Sequence, residues 1–137
     1  MSEYPQRIGF VNGCFDVLHV GHLNLFKFCR SQCDYLIVAI DTDERVRATK
    51  GSNRPFNSLE DRKAMLMALR YVDAVESFST DAELTNLVKT NVPDIMVVGS
   101  DWEGKKVIGS EHARQLKFFR KIDGYSTTKI LQSSSNR

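Results

Sequence analysis

The segment RIGFVNGCFDVLHVGH, residues 7–22, contains the pattern on which the fold prediction rests. It begins with a short apolar run that stops at Gly13, and residues 21–31 then carry mostly apolar side chains in a helix-compatible pattern. The segment therefore predicts a strand, a loop and a helix. Two glycines, Gly13 and Gly21, and two histidines, His19 and His22, fall in the turn that joins the strand to the helix.

The rest of the chain continues this alternation. Apolar runs predict four further strands, at residues 35–40, 74–78, 95–98 and 116–119. Capping residues and helical spacing predict three further helices. One starts after Ser58 and ends near Arg70, and the other two occupy residues 81–90 and 126–131. Residues 42–57 are polar and contain Gly51 and Pro55, so a loop without regular structure is expected there, and a frayed tail at residues 132–137.

This order of elements predicts an α/β fold, namely a Rossmann-like open parallel sheet with helices on both faces. In such sheets, ligands bind in a crevice beyond the carboxyl ends of the strands. The turn that carries the paired glycines and histidines follows the first strand, so it is expected to face that crevice.

Size and composition predict a single domain over residues 1–137. The chain has 137 residues, of which 42% are hydrophobic and 26% charged, values typical of soluble globular proteins. The net charge of +2 is too small to indicate nucleic-acid or membrane-surface binding.

The apolar stretches are strand-sized and residues 1–7 are polar, which predicts neither a membrane span nor a secretory signal, so we expect a cytoplasmic protein. An odd number of cysteines, three, favours free thiols in a reducing compartment.

The chemistry of the first turn points to a phosphate. Gly13 and Gly21 would let the backbone approach a ligand closely, and the amides at the start of the helix are anion donors. His19 and His22, three residues apart, can present ring nitrogens on one side to phosphoryl oxygens. Two alternatives stay open: ordinary capping or core histidines, and a zinc site that combines them with Cys14 and either Cys29 or Cys33, although this spacing matches no zinc pattern.

Three segments of the chain resemble a known family. GCFDVLHVGH, residues 13–22, resembles the HxGH signature of the small nucleotidyltransferases, the superfamily of glycerol-3-phosphate cytidylyltransferase and heptose-1-phosphate adenylyltransferase. KGSNRPFNSLEDR, residues 50–62, resembles the heptose-phosphate adenylyltransferase domains, whereas SDWEGK, residues 100–105, is similar to a segment of the glycerol-phosphate cytidylyltransferases. GYSTTKI, residues 124–130, resembles the ISTTKI block that both share. The resemblance implies the HUP, or nucleotidylyl transferase, type of Rossmann-like fold.

The resemblance also implies a reaction. The phosphate of a small acceptor attacks the α-phosphorus of a nucleoside triphosphate in line, and pyrophosphate leaves, with Mg²⁺ or Mn²⁺ as the cofactor. The implied catalytic residues are His19, His22, Lys50 and Arg62. The implied nucleotide-binding residues are Gly13, Cys14, Phe15, Asp16, Gly21, Gly99, Asp101, Tyr125, Ser126, Thr127 and Thr128. The implied acceptor-binding residues are Arg54, Arg62, Trp102 and Lys121. Asp16 is also implied as an aid to the metal, which binds mainly through the triphosphate.

The resemblance leaves the substrate pair open. SDWEGK and the short single-domain length favour cytidylyl transfer from CTP to a small phosphorylated polyol such as glycerol 3-phosphate. KGSNRPFN and the GSEHARQ segment, residues 109–115, favour the alternative, adenylyl transfer from ATP to a heptose 1-phosphate. Asp101 fits both bases, because cytosine and adenine each present an exocyclic amine. An alternative from another class is a catalytically silent nucleotide-binding module.

Other expectations concern partners and competing enzymes. The sequence has no GxGxxG after the first strand and no GxxxxGK[ST], which argues against a dinucleotide-dependent oxidoreductase and a Walker-type ATPase. We expect neither nucleic-acid nor membrane partners, and the resemblance implies a homodimer. Lys121 stands where glycerol-type cytidylyltransferases carry an arginine, which keeps the charge but loses the bidentate fork.

Overall fold

A five-stranded sheet forms the centre of the computed structural model, which describes residues 6–120. The strands are β1 (Ile8–Gly13), β2 (Tyr35–Asp41), β3 (Ala74–Phe78), β4 (Ile95–Gly99) and β5 (Leu116–Phe119). The α-helices are α1 (Val20–Ser31), α2 (Asp43–Lys50), α3 (Leu59–Met67) and α4 (Asp81–Asn91), and short 3₁₀ turns occupy Ser100–Trp102 and Ser110–His112. The predicted helix at residues 126–131 and the tail at residues 132–137 lie outside the described residues.

All strand pairs are parallel, and the order across the sheet is β3-β2-β1-β4-β5. The chain builds outward from β1 on one side through β2 and β3, then returns to the other side of β1 for β4 and β5. The reversal between β1 and β4 opens a crevice at the carboxyl ends of these strands. The predicted Rossmann-like fold, an open parallel sheet with helices on both faces, is confirmed.

Helices cover the sheet on both faces, which explains the continuous hydrophobicity of the central strands. One face packs against α1 and α3 through a cluster that includes Val38, Phe26 and Leu66. The other face packs against α4 through a cluster that includes Ile37 and Val88. Successive residues of β2 belong alternately to the two clusters. A polar side chain at any interior position of this strand would therefore face apolar side chains.

The expectation of an irregular loop over residues 42–57 is wrong for its first half, which forms α2. Thr42 caps this helix, because its side chain accepts a hydrogen bond from Arg45 N. Acidic residues occupy the first turn and basic residues the last, so their charges interact favourably with the helix macrodipole and stabilise the helix. Val46 is the one buried residue of α2, so the helix carries no apolar period that sequence reasoning could detect.

The predicted helix after Ser58 is present, and its start is as expected, since the Ser58 hydroxyl accepts a hydrogen bond from Asp61 N. It ends at Met67, three residues before the predicted end at Arg70. Among residues 6–120, no helix is both long enough and apolar enough to cross a membrane. The three cysteines are free thiols.

Packing around Gly9, in the middle of the sheet, yields a first prediction. A Cβ atom at Gly9 would lie 2.6 Å from the Sγ atom of buried Cys33, closer than such atoms can approach. Gly9→Ala should therefore lower the free energy of unfolding by about 1–3 kcal/mol, as overpacking of a well-packed core does. The measurement is urea denaturation of Gly9→Ala in the wild-type and in the Cys33→Ala background.

The destabilisation should be smaller when Cys33 is alanine, because the clashing sulfur is then absent. Equal losses in both backgrounds would show that the contact with this sulfur is not the cause.

Candidate active site

A cavity of about 610 Å³ lies at the carboxyl ends of the strands, where the sheet order predicts a crevice. The last residues of all five strands contribute to its wall: Gly13, Asp41, Phe78, Gly99 and Phe119. The turn between β1 and α1 forms one side of this cavity, and the 3₁₀ turn after β4 forms the other.

His19 and His22 cap α1 and also line the cavity. His19 Nδ1 accepts a hydrogen bond from Gly21 N at 3.0 Å, and His22 Nδ1 accepts one from His19 N at 3.2 Å. Because Nδ1 is the acceptor in both rings, the proton of each neutral imidazole is on Nε2, which is therefore a donor. The two rings stack with their centroids 3.8 Å apart, an arrangement that two charged rings would oppose.

The sequence left open whether these histidines are capping residues or phosphate ligands, and the geometry is compatible with both roles. Capping uses one nitrogen of each ring and fixes the ring orientation. The Nε2–H groups that result are donors suited to phosphoryl oxygens.

Phe15 supports the histidine turn from below. Its backbone has φ +49°, an uncommon conformation for a residue with a side chain, and its ring contacts His22 edge-on at 5.4 Å between centroids. A Cβ atom at Gly13 would lie 2.9 Å from this ring, so a glycine is required there. Phe15 is buried and its ring contacts the core residue Phe26 edge-on. Because of this contact, Phe15 supports the turn from the core.

Asp16 is placed differently from the expected metal ligand. Its carboxylate is fully buried and accepts hydrogen bonds from Phe56 N at 2.6 Å, Asn57 N at 2.7 Å and Arg54 Nε at 3.1 Å. Both oxygens are thus engaged by donors of the 54–57 segment, so the assignment of Asp16 to a metal is corrected to a clasp between that segment and the histidine turn. Arg54 belongs to the same clasp and does not lie on the cavity wall, and its expected contact with the acceptor stays a prediction.

Arg62 is also placed differently from the expected substrate ligand, because it is 1% exposed and lies beneath the cavity. Its Nη1 donates to the carbonyl oxygens of Cys14 at 3.1 Å and Asp41 at 2.7 Å. Its Nε donates to Asn57 O at 3.1 Å, and its Nη2 pairs with Asp43 Oδ1 at 2.7 Å. The guanidinium is committed to four protein acceptors, which corrects its predicted contact with the acceptor to a structural role under the site.

Several predicted residues do lie on the cavity wall. They are Gly13, Cys14, Phe15, Asp16, His19, Gly21, His22, Lys50, Gly99, Asp101 and Trp102. Lys50 is the last residue of α2, whereas Asp101 and Trp102 lie in the turn after β4, on the opposite side of the switch point from the histidines. Trp102 is 44% exposed, so its ring is accessible to a ligand. The predicted residues Lys121, Tyr125, Ser126, Thr127 and Thr128 lie outside the described residues.

Metal binding by the described side chains is not supported. Residues 6–120 contain no group of three or more His, Cys, Asp or Glu side chains placed to hold a metal ion, so the zinc alternative has no site there. The carboxylate of Asp16 accepts hydrogen bonds from two backbone N–H groups, and the expected Mg²⁺ or Mn²⁺ stays a prediction. Burial raises the pKa of the Cys14 thiol, an effect that nearby Lys50 and Arg62 partly offset.

Sequence reasoning missed two charged residues on the cavity wall, Asp41 and Arg45. Burial raises the pKa of the Asp41 carboxyl, against the opposing effect of Arg45, Lys50 and Arg62. One signal was available for Asp41, since it is the first polar residue after the apolar strand YLIVAI and therefore lies at the carboxyl end of β2. Arg45 was not detectable, because its segment was expected to be a loop.

Comparisons with known proteins identify the family of the chain. The profile of a family described as cytidylyltransferase-like matches residues 10–133. The chain is 48% identical over 122 residues to the bifunctional protein HldE of Campylobacter fetus subsp. fetus, and 45% identical over 131 residues to that of Sulfurimonas denitrificans. These matches cover 89% and 96% of this chain but 26% and 27% of the two relatives. The chain thus spans about a quarter of the length of these curated relatives.

Solved structures show the same fold at low sequence identity. The crystal structure of the lipopolysaccharide core biosynthesis protein from Thermoplasma volcanium GSS1 superposes with a TM-score of 0.70 at 22% identity, covering 87% of this chain and 100% of that chain. Pantoate-beta-alanine ligase from Francisella tularensis superposes with a TM-score of 0.57 at 16% identity, covering 95% of this chain and 69% of that chain.

The hydrogen bonds of Arg62 yield a second prediction. Arg62→Lys should lower the free energy of unfolding by about 3–5 kcal/mol, because a single ammonium cannot replace a buried guanidinium that donates to four acceptors. The measurement is urea denaturation, with Arg47→Lys as the matched control on the exposed face of α2. The control should change stability by less than about 0.5 kcal/mol. Equal stability of both variants would contradict the structural role of Arg62.

The raised pKa of Asp41 yields a third prediction. A carboxyl whose pKa is raised on folding makes an unfavourable contribution above that pKa, where it is ionised, and none at low pH, where it is neutral in both states. Asp41→Asn should therefore raise the melting temperature at pH 7, and the difference from wild type should vanish towards about pH 4. A lower melting temperature of the variant at pH 7 would refute this sign.

Proposed function

Because the chain belongs to the cytidylyltransferase-like family of nucleotidyltransferases, we propose that it transfers an adenylyl group from ATP to a heptose 1-phosphate and releases pyrophosphate. The observation that carries this proposal is the high sequence identity to HldE proteins. The adenylyltransferase domain of those proteins is the one that acts on heptose 1-phosphate. The resemblance of residues 50–62 to those domains supports the same substrate pair.

Cytidylyl transfer to glycerol 3-phosphate, the pair that the SDWEGK segment favours, has no specific support from the comparisons. Asp101 and Trp102 of that segment lie in a turn at the cavity, and a carboxylate such as that of Asp101 can accept from the exocyclic amine of either base. The relatives therefore favour the adenylyl alternative over the cytidylyl prediction.

In the proposed reaction the nucleophile is a phosphate oxygen of the acceptor, which is already anionic. No general base is needed to activate it, so the site has to position two polyanions and stabilise the charge of the transition state. The Nε2–H groups of His19 and His22 are preoriented donors for this charge. The backbone amides at the start of α1 add a fixed partial positive charge at the same place.

Lys50, on the cavity wall close to Cys14 and Asp41, adds a further positive charge for the phosphate groups. Mg²⁺ or Mn²⁺ would enter bound to the triphosphate, which supplies the oxygen ligands that these cations prefer.

The homodimer that the resemblance implies is a further prediction, to be checked by sedimentation equilibrium.

The paired histidines yield a fourth prediction, on activity. His22→Asn keeps an acceptor near the position of Nδ1, and thus the cap on α1, but removes the Nε2–H donor. We expect kcat for pyrophosphate release from ATP and heptose 1-phosphate to fall by about 10²-fold, the effect of losing one oxyanion donor. His112→Ala is the matched control, because His112 lies outside the cavity wall and should keep wild-type turnover.

The same assay separates the competing functions. Faster turnover of CTP with glycerol 3-phosphate than of ATP with heptose 1-phosphate would contradict the proposed substrate pair. Nucleotide binding with no pyrophosphate release for any pair would favour the silent module. Wild-type kcat in His22→Asn would remove the histidine from the proposed mechanism.

A further inference from the structure

Asp41 is an unexpected residue in a cavity that must accept two polyanions. Its side chain is 17% exposed and lies on the cavity wall, where an ionised carboxylate repels the phosphates of both substrates. Its ionised form is also disfavoured by burial, as the raised pKa shows. A group that opposes both folding and phosphate binding is expected at a functional site only when it makes a specific contact with a ligand.

The position of Asp41 separates it from the nucleotide side of the cavity. Asp41 ends β2, the histidine turn follows β1, and Asp101 follows β4, so the three groups lie in this order across the crevice. Neighbouring parallel strands are about 4.8 Å apart, which places the end of β2 about 10 Å from that of β4. A triphosphate that extends from the Asp101 side to the histidines leaves the Asp41 side for the acceptor.

Arg45 holds Asp41 in place without using its hydrogen-bonding capacity. The Oδ2 atom of Asp41 lies 3.6 Å from Arg45 Nε, which is close enough for charge attraction but longer than a hydrogen bond. Arg45 also lies on the cavity wall, but its terminal nitrogens are occupied, since they donate to Ser79 O at 3.3 Å and to Asp81 Oδ1 at 2.7 Å. The carboxylate of Asp41 therefore keeps acceptor capacity for a ligand.

We propose that Asp41 selects the acceptor by accepting hydrogen bonds from hydroxyl groups of a sugar phosphate, with Arg45 as a positioning residue. This inference rests on the proposed function, because it assumes that the acceptor occupies this side of the cavity. Hydroxyl groups are the donors that a sugar offers, and a carboxylate can bind two of them at once. Asp41 would thus favour acceptors that are rich in hydroxyl groups over phosphates that lack them.

The fifth prediction tests this selection by binding rather than turnover. Heptose 1-phosphate and inorganic phosphate are titrated calorimetrically into the wild-type chain and Asp41→Asn, each saturated with a non-reacting ATP analogue. Asp41→Asn should weaken heptose 1-phosphate binding by about 10-fold, the scale of losing a hydrogen bond to a charged group. Inorganic phosphate should bind equally or more tightly, because a repelling charge is gone.

Glu44→Gln is the matched control, because Glu44 is an exposed carboxylate of α2 that lies outside the cavity wall. It should leave both affinities unchanged. Parallel weakening of both ligands in Asp41→Asn would indicate general damage to the site and overturn the proposal, as would unchanged affinities or an equal effect in Glu44→Gln. A wild-type chain that does not prefer heptose 1-phosphate over inorganic phosphate would overturn it as well.

These outcomes differ from a failure of the proposed function. That function fails when ATP and heptose 1-phosphate release no pyrophosphate, whatever the affinities are. The role of Asp41 is judged only by the ratio of the two affinities in wild type and variant.

Discussion

The buried guanidinium of Arg62 is the interaction on which the site depends. It joins the carbonyl groups that follow β1 and end β2 to the start of α2 and to the segment before α3. A cation with 1% exposure would be unstable without these acceptors, and the loops would lack a common anchor without the cation. The histidine turn and Asp41 are therefore positioned by one side chain that does not itself line the cavity. Asp16 provides a second, independent connection between the same turn and the 54–57 segment.

In the proposed function, the paired histidines of this turn serve structure and chemistry together. Each imidazole gives one nitrogen to the cap of α1, and this bond orients the ring and sets which nitrogen carries the proton. A side chain already ordered by the helix loses little freedom on binding, so its donor acts at low entropic cost. The question of whether these residues are caps or ligands is therefore not a choice between exclusive roles.

The sequence was sufficient to predict features that depend on local patterns. Continuous apolar runs identified all five strands, and the glycines and histidines of residues 13–22 identified the turn that lines the cavity. Helix α2 was missed because it buries only Val46. The roles of Arg62 and Asp16 were also missed, since their partners lie up to 48 and 41 residues away in sequence. Burial of a charge is a property of the assembled fold, and no local pattern distinguishes a buried arginine from an exposed one.

The placement of β1 in the centre of the sheet affects how the protein is made. Gly9 pairs with Leu36 of β2 on one side and with Ile95 of β4 on the other, so β1 acquires its second neighbour only after the segment up to β4 has been synthesised. Pairing over such sequence separations is slow compared with local folding. The histidine turn consequently completes its surroundings only after β4 is made, and nascent chains would expose an unpaired edge of β1 to chaperones and to other chains until then.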